Sequence, residues 1–311
     1  MAGRRVALYF AWDRPQETCA PLERLNDRYP ALFELRRALW PLADGLAQVQ
    51  DQGIDGFLED VVLSDFARFR ALGQQLTGHE VQLHERRGNA GNFLPLNGWI
   101  DEIDTLIIVS LDHLPTGQVA SDAELAAVNA FLAKDGRCAF ICLHHDVGTT
   151  SDPPAELAHH GDRLVPGRQQ IGGFGRSVLA GLGLQIENRH GFRPARAPDG
   201  RPAELEILPE FAGHPLLAGV ETFNLHPHLP DLQIGSDSRA KVDVLARQQI
   251  AADAPLHPAA QPGQVMFNAL LQVRPESGLG RLFVCDATLW SSAFGGEPSL
   301  LAFWQNVVTM D

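Results

Sequence analysis

Apolar positions along this chain fall into two rhythms. Short uninterrupted runs recur as "VALYF" from Val6, "LIIV" from Leu106, "AFICL" from Ala139 and "LFVC" from Leu282. Runs of this length, apolar on both alternating faces and bounded by charged residues, predict β-strands in a sheet that helices cover on both sides. Between the second and third runs, "SDAELAAVNAFLAKDG" is apolar at helical spacing, with Ser121 as N-cap, Glu124 three residues on and Gly136 as the stop. Strand, helix and strand at this spacing predict a parallel pair joined by a crossover. "EVQLHER", "KVDVLARQQI" and "QVMFNALLQV" read as further strands, and "GFLEDVVLSDFARFRALGQQL", "RSVLAGLG" and "PSLLAFWQNVVTM" as helices. Leu32, Leu35, Leu39 and Leu42 predict another helical region, ended or kinked at Pro30 and Pro41. Residues 184–209 read as a hairpin with "PDG" at its turn. The sum is a single α/β domain over 1–311, with a central, mostly parallel sheet, antiparallel additions and an irregular insertion or lid at about 151–205.

Composition narrows the function classes. The 311 residues are 45% hydrophobic, enough for a substantial core, and carry a net charge of −13. That balance argues against nucleic acid and against an anionic membrane surface, both of which need a basic face. No apolar run approaches the roughly 20 residues that span a bilayer. The N-terminus lacks the apolar core and cleavage site of a signal peptide. Cys19, Cys138, Cys142 and Cys285 have no CxxC spacing and read as reduced, mostly buried thiols of a cytoplasmic protein.

Candidate chemistry gathers at strand ends. In open parallel sheets, ligands bind outside the carboxyl ends of the strands. The first strand ends at Trp12 and Asp13, the "LIIV" strand at Asp112 and His113, the "AFICL" strand at His144, His145 and Asp146, and the last at Asp286, with Trp290 close behind. Neighbouring residues of a strand point to opposite sides, so one of His144 and His145 is expected to face a cleft while the other packs. His159, His160 and Asp162 form a second cluster; with a histidine of the first and an aspartate they would suit zinc or iron, although no zinc signature is present. His226 and His228 in "HPH" read as loop histidines near the surface. Arg189, Arg193 and Arg196 read as solvated. "GRQQIGGFGRS" is either a flexible loop or an anion-binding lid in which Arg168 or Arg176 grips a carboxylate. It matches no nucleotide-binding fingerprint, so no nucleotide cofactor is expected.

The segment from "DTLIIVSLDH" to "AFICLHHD" resembles the core of the class I glutamine amidotransferase-like superfamily. "GHPLLAGVETFNL" and "GLGRLFVCDATLWSS" are similar to segments of its trehalose-utilisation (ThuA-like) branch. The resemblance covers residues 100–150 and 210–311 and implies a flavodoxin-like three-layer sandwich. It also implies a nucleophile at Cys142, but the flanking glycines of the elbow are missing and Asp286-Ala287-Thr288 stands where the family has His-x-Glu. Cys142 therefore reads as a buried strand residue, and glutamine hydrolysis is not expected.

Two functions follow as expectations. One is a hydrolase-type enzyme for a small polar or anionic substrate at the carboxyl edge, with a divalent metal (Zn or Fe) as candidate cofactor. In it His144 or His145 acts as base or metal ligand, and Asp146, Asp112 or Asp286 orients that histidine. His159 and His160 are further candidate ligands; Arg176, Trp12, Asp13 and Trp290 are candidate substrate contacts. The alternative is a non-catalytic ligand-binding or protein-interaction module on the same fold. Trp12 and Trp290 would equally suit a dimer seam, which leaves a homo-oligomer open.

Overall fold

The computed structural model describes residues 3–18, 58–86, 88–89, 92–93, 98–113, 116–145, 171–188, 191–258, 260–291 and 297–310. The predicted helix around Leu32–Leu42, Cys19, Asp146 and the His159–His160 cluster lie outside them.

Eight strands form the central sheet: β1 (Val6–Phe10), β2 (Gln82–Glu85), β3 (Thr105–Val109), β4 (Cys138–Leu143), β5 (Glu206–Ile207), β6 (Val242–Gln249), β7 (Met266–Val273) and β8 (Arg281–Asp286). Their order is β2-β1-β3-β4-β8-β7-β6-β5. The first five in that order run parallel, and β7, β6 and β5 add antiparallel. The mostly parallel α/β sheet expected from the apolar runs is thus present. The "PDG" turn forms as well: Ala197 donates its N–H to Arg201 O, and Gly200 takes the left-handed φ of 85° that favours glycine. It closes on a single bridge between Arg196 and Pro202 rather than a long hairpin.

Strand alternation divides the core into two layers. Leu8, Phe10, Ile107, Phe140, Cys142, Phe283 and Cys285 pack on one face. Tyr9, Leu106, Ile108, Ile141, Leu143 and Val284 pack on the other. Helices α2 (Ala67–Thr77) and α5 (Glu297–Thr309) cover the first face through Phe69, Phe303 and Trp304. Helices α3 (Asp122–Leu132) and α4 (Gly173–Gly181) cover the second through Val128, Phe131, Phe174 and Val178. A one-turn helix, α1 (Arg14–Thr18), follows β1. Helix α4, inside the predicted insertion, packs directly on the sheet: a Cβ at Gly175 would stand 2.5 Å from Leu143 Cδ2 and 2.9 Å from Ser110 Cβ.

The predicted capping box closes α3. The Ser121 hydroxyl accepts from the Glu124 N–H, and the Ser121 N–H donates to Glu124 Oε2. Glu124 also pairs with Arg86 at 2.9 Å, both side chains being almost wholly buried, and accepts from the Tyr9 hydroxyl. Burial, then the Glu124 charge, pushes the Tyr9 phenol well above its ordinary pKa. Removing one member of such a pair strands the other charge away from water. Arg86→Met is therefore expected to lower the unfolding free energy by about 3–5 kcal/mol in equilibrium urea denaturation; a loss below about 1 kcal/mol would contradict this role for the pair.

Candidate functional site

Strands β4 and β8 lie side by side in parallel, in register from Arg281 opposite Cys138 to Asp286 opposite Leu143. The chain leaves β4 as His144 just where β8 ends in Asp286. His144 Nδ1 and Asp286 Oδ1 are 2.8 Å apart although 142 positions separate them in sequence. The ionised carboxylate can only accept, so Nδ1 carries the hydrogen and Nε2 is the basic nitrogen. Asp286 is held from its other oxygen: Oδ2 accepts the Thr288 N–H at 2.8 Å and also the Thr288 hydroxyl. It thereby caps the 3₁₀ turn Ala287–Trp290.

Three more imidazoles surround His144. Ring centroids are 4.3 Å away for His145 and 4.7 Å for His226, and His145 is 5.5 Å from His228. The expectation that His144 and His145 point to opposite sides is corrected: β4 ends at Leu143, and pleated alternation no longer applies beyond it. "HPH" is a loop near the surface as expected, with Pro227 exposed and both histidines half-buried, but it lies against the first cluster. Asn224 draws that loop inward by accepting the His226 N–H at 2.9 Å and donating to Thr288 Oγ1 at 2.9 Å. A continuous chain of hydrogen bonds therefore runs from His144 through Asp286, Thr288 and Asn224 to the His226 backbone. Gly191 closes the cluster from a further side. A Cβ there would lie 3.1 Å from both His145 Cβ and His228 Cβ, so any side chain would press these two residues apart by a few tenths of an ångström.

The other predicted residues are placed differently. Asp112 is fixed to the start of α4, where Oδ2 accepts the Phe174 N–H at 2.9 Å and Oδ1 accepts from Ser110 Oγ at 2.6 Å. The helix N-terminus in "GGFG" thus receives the chain's own carboxylate where an outside anion was one expectation. Arg176 donates to Asn188 Oδ1 and Ile171 O, and Asn188 in turn donates to the His144 carbonyl. Gly172, at φ +91°, passes so close to Asn188 Nδ2 that a Cβ would stand 2.9 Å from it. Asp13 is buried at the end of β1: its N–H donates to Gln118 and its Oδ2 accepts from Gln16.

Trp12 and Trp290, candidate substrate contacts, are both fully buried core residues. The Trp290 N–H donates to Cys142 Sγ at 3.0 Å. Cys142 lies within β4, buried, with its sulfur 3.6 Å from that of Cys285, as the missing elbow glycines imply. Burial raises the Cys138 thiol to about 12 and holds the Cys285 thiol well above its usual range. Among the described residues, no three His, Cys, Asp or Glu side chains are disposed to hold one metal ion. Asp146, His159 and His160 lie outside those residues. A scan against protein-family models finds no match to this chain, and a search of curated proteins finds none.

Burial holds His226 well below the usual imidazole pKa, and the neighbouring His144 and His228 push it the same way. The unfolded chain takes up a proton at this residue near pH 6.5 while the folded chain does not. Its contribution to stability is thus complete above about pH 6.5 and is lost as pH falls below that value, at up to about 1.4 kcal/mol per pH unit. His226→Asn keeps an acceptor for the His228 N–H but does not titrate. Its unfolding free energy is expected to fall less steeply than wild type between about pH 6.5 and 5. Parallel profiles in chemical denaturation would contradict a His226 that stays neutral in the folded chain.

Proposed function

We propose that the protein is a hydrolase-type enzyme acting on a small polar or anionic substrate at the carboxyl edge of its sheet, with His144 as general base and Asp286 as its orienting carboxylate. The observation that carries this reading is the 2.8 Å contact between His144 Nδ1 and Asp286 Oδ1, made by residues from two adjacent strand ends. An imidazole whose Nδ1–H is tied to a buried carboxylate keeps Nε2 as the proton acceptor and is stabilised when it becomes charged. In the reaction, a water molecule attacks the electrophilic carbon or phosphorus while Nε2 takes its proton. The imidazolium then returns that proton to the leaving group as the scissile bond breaks. A divalent metal enters this reading only with ligands beyond the described residues, and no step here depends on one.

Kinship with the glutamine amidotransferase-like superfamily and its ThuA-like branch belongs to the same proposal. Its support is the order β3–α3–β4 and the position of the His cluster immediately after the strand that carries Cys142. A cytoplasmic setting agrees with the free, buried Cys138, Cys142 and Cys285. Among the described residues, no helix is long and apolar enough to cross a membrane. The interaction-module alternative would draw support from a broad apolar surface. The exposed large hydrophobics among the described residues are Leu76, Val119 and Val265, which stand on separate segments.

The test is a hydrolysis screen of the purified chain against small esters, amides and phosphoesters, followed by kinetics on any substrate found. His144→Gln and Asp286→Asn are each expected to lower kcat/KM by about 10²–10⁴-fold, the asparagine side chain still being able to cap the Thr288 turn. Turnover at the wild-type rate in both variants would remove His144 as the base.

A further inference from the structure

We propose that Arg193 anchors a small carboxylate-bearing ligand in a cavity beside the histidine cluster. The cavity, about 350 Å³, is lined by Arg193, Arg196, Gln249, Ile250 and Asp253 among others, a size suited to a ligand of a few heavy atoms. Its walls are fixed by backbone pairing: Ala195 donates to Gln249 O at 2.7 Å and Ala251 to Arg193 O at 2.9 Å. These segments follow the ends of the Gly191–Phe192 strand and of β6, whose last residue pairs with the first of β7, so the cavity opens at the same sheet edge as Asp286.

The guanidinium of Arg193 carries the argument. Its Nε and Nη2 are both buried, and among the described residues neither makes a hydrogen bond. Those two nitrogens form the side-on fork that meets both oxygens of a carboxylate. A buried N–H without a hydrogen bond costs about 1–3 kcal/mol, so a fork met only at Nη2, by an ion pair with a single aspartate, has room for a better-aligned carboxylate. Asp253 shows which partner chemistry fits: its Oδ1 lies 3.0 Å from Nη2 as an ion pair without a hydrogen bond, and its side chain is 83% exposed. A ligand carboxylate can displace it outward into water. Arg196 donates instead to Gly200 O in the "PDG" turn, so Arg193 supplies the grip. A single guanidinium on a chain of net charge −13 favours a monoanionic carboxylate over a phosphate dianion.

Position links this cavity to the proposed chemistry. Gly191 faces His145 and His228, and its neighbour Phe192 is buried in the core on the opposite side. Arg193, two residues after Gly191, lies within roughly 7 Å of it along the backbone, which keeps the cavity close to the histidines. This inference rests on the reading of His144 as base only for what the carboxylate is attached to: a substrate with an anionic end at Arg193 and its reacting bond nearer His144.

The experiment is calorimetric titration of the full chain with acetate, malonate and succinate, with acetamide as neutral control and inorganic phosphate as the competing anion. At least one carboxylate is expected to bind saturably and acetamide not at all. Arg193→Gln and Arg193→Lys are each expected to weaken that binding by about tenfold or more, because lysine keeps the charge but lacks the fork. Asp253→Asn is expected to tighten it several-fold by removing the competing carboxylate. The titration reads binding without turnover, which separates this result from any failure of the hydrolase reading. Absence of saturable carboxylate binding, phosphate binding tighter than every carboxylate, or an Arg193→Lys variant that binds unchanged would each overturn the proposal.

Discussion

The parallel, in-register pairing of β8 with β4 is the constraint on which the site depends. After β4 the chain passes through α4 and the antiparallel strands β5, β6 and β7, and only then returns β8 to the centre of the sheet. Because β8 runs the same way as β4, their carboxyl ends coincide, and Asp286 arrives beside His144. Had β8 joined antiparallel, Asp286 would sit at the opposite edge. The pairing is stabilised from within the first layer: Phe140 stacks on Phe283 at 5.0 Å between centroids, and Cys142 faces Cys285. Trp290, just past Asp286, fills the space beneath through edge contacts with Phe69 and Phe140. The tryptophan that follows the orienting carboxylate thus serves the geometry from the core side.

Around that seam, polar groups act mainly by holding one another. Asp112 fastens the start of α4, Gly172 lets the chain pass close to Asn188, and Asn188 holds the His144 carbonyl while Arg176 holds Asn188. On the other side, Thr288 and Asn224 couple Asp286 to the loop of His226. Both anchors end on the histidine cluster, so its rings stand on rigid supports, as a preorganised site requires. Arg86–Glu124 secures α3 in the same way and is remote from this chemistry in role.

Much of the fold is legible in the sequence because burial on both faces leaves an unambiguous record. "VALYF", "TLIIV" and "CAFICL" show every residue buried, as continuous apolar runs require. The Ser121–Glu124 spacing is a purely local signal, and it too is realised. The site is only half legible. His144 and Asp286 can be picked out because each ends an apolar strand, a pattern that depends on strand direction alone. His226, His228, Gly191 and Arg193 cannot, because their roles arise from how the residues after α4 fold back over the sheet edge. A proline-separated pair of histidines reads correctly as a loop near the surface, but nothing in the sequence shows that Asn224 ties it beside His144. Arg193 looks solvated until its fork is found enclosed. Conversely, Arg176 and Asp112 have the chemistry of ligand-binding groups, but local hydrogen bonds engage them in support. Trp12 and Trp290 sit near strand ends in sequence, yet their area is used in the core.

The candidate site turns on one proton: the hydrogen that His144 shares with Asp286. Long-range ¹⁵N–¹H correlation NMR of the imidazoles at neutral pH, assigned by comparison with His144→Gln, reads its position directly. His144 is expected to carry its hydrogen on Nδ1, with Nε2 as the acceptor nitrogen, and to lose this pattern in Asp286→Ala. A His144 protonated on Nε2 alone, or one whose signals do not change when Asp286 is removed, would contradict it.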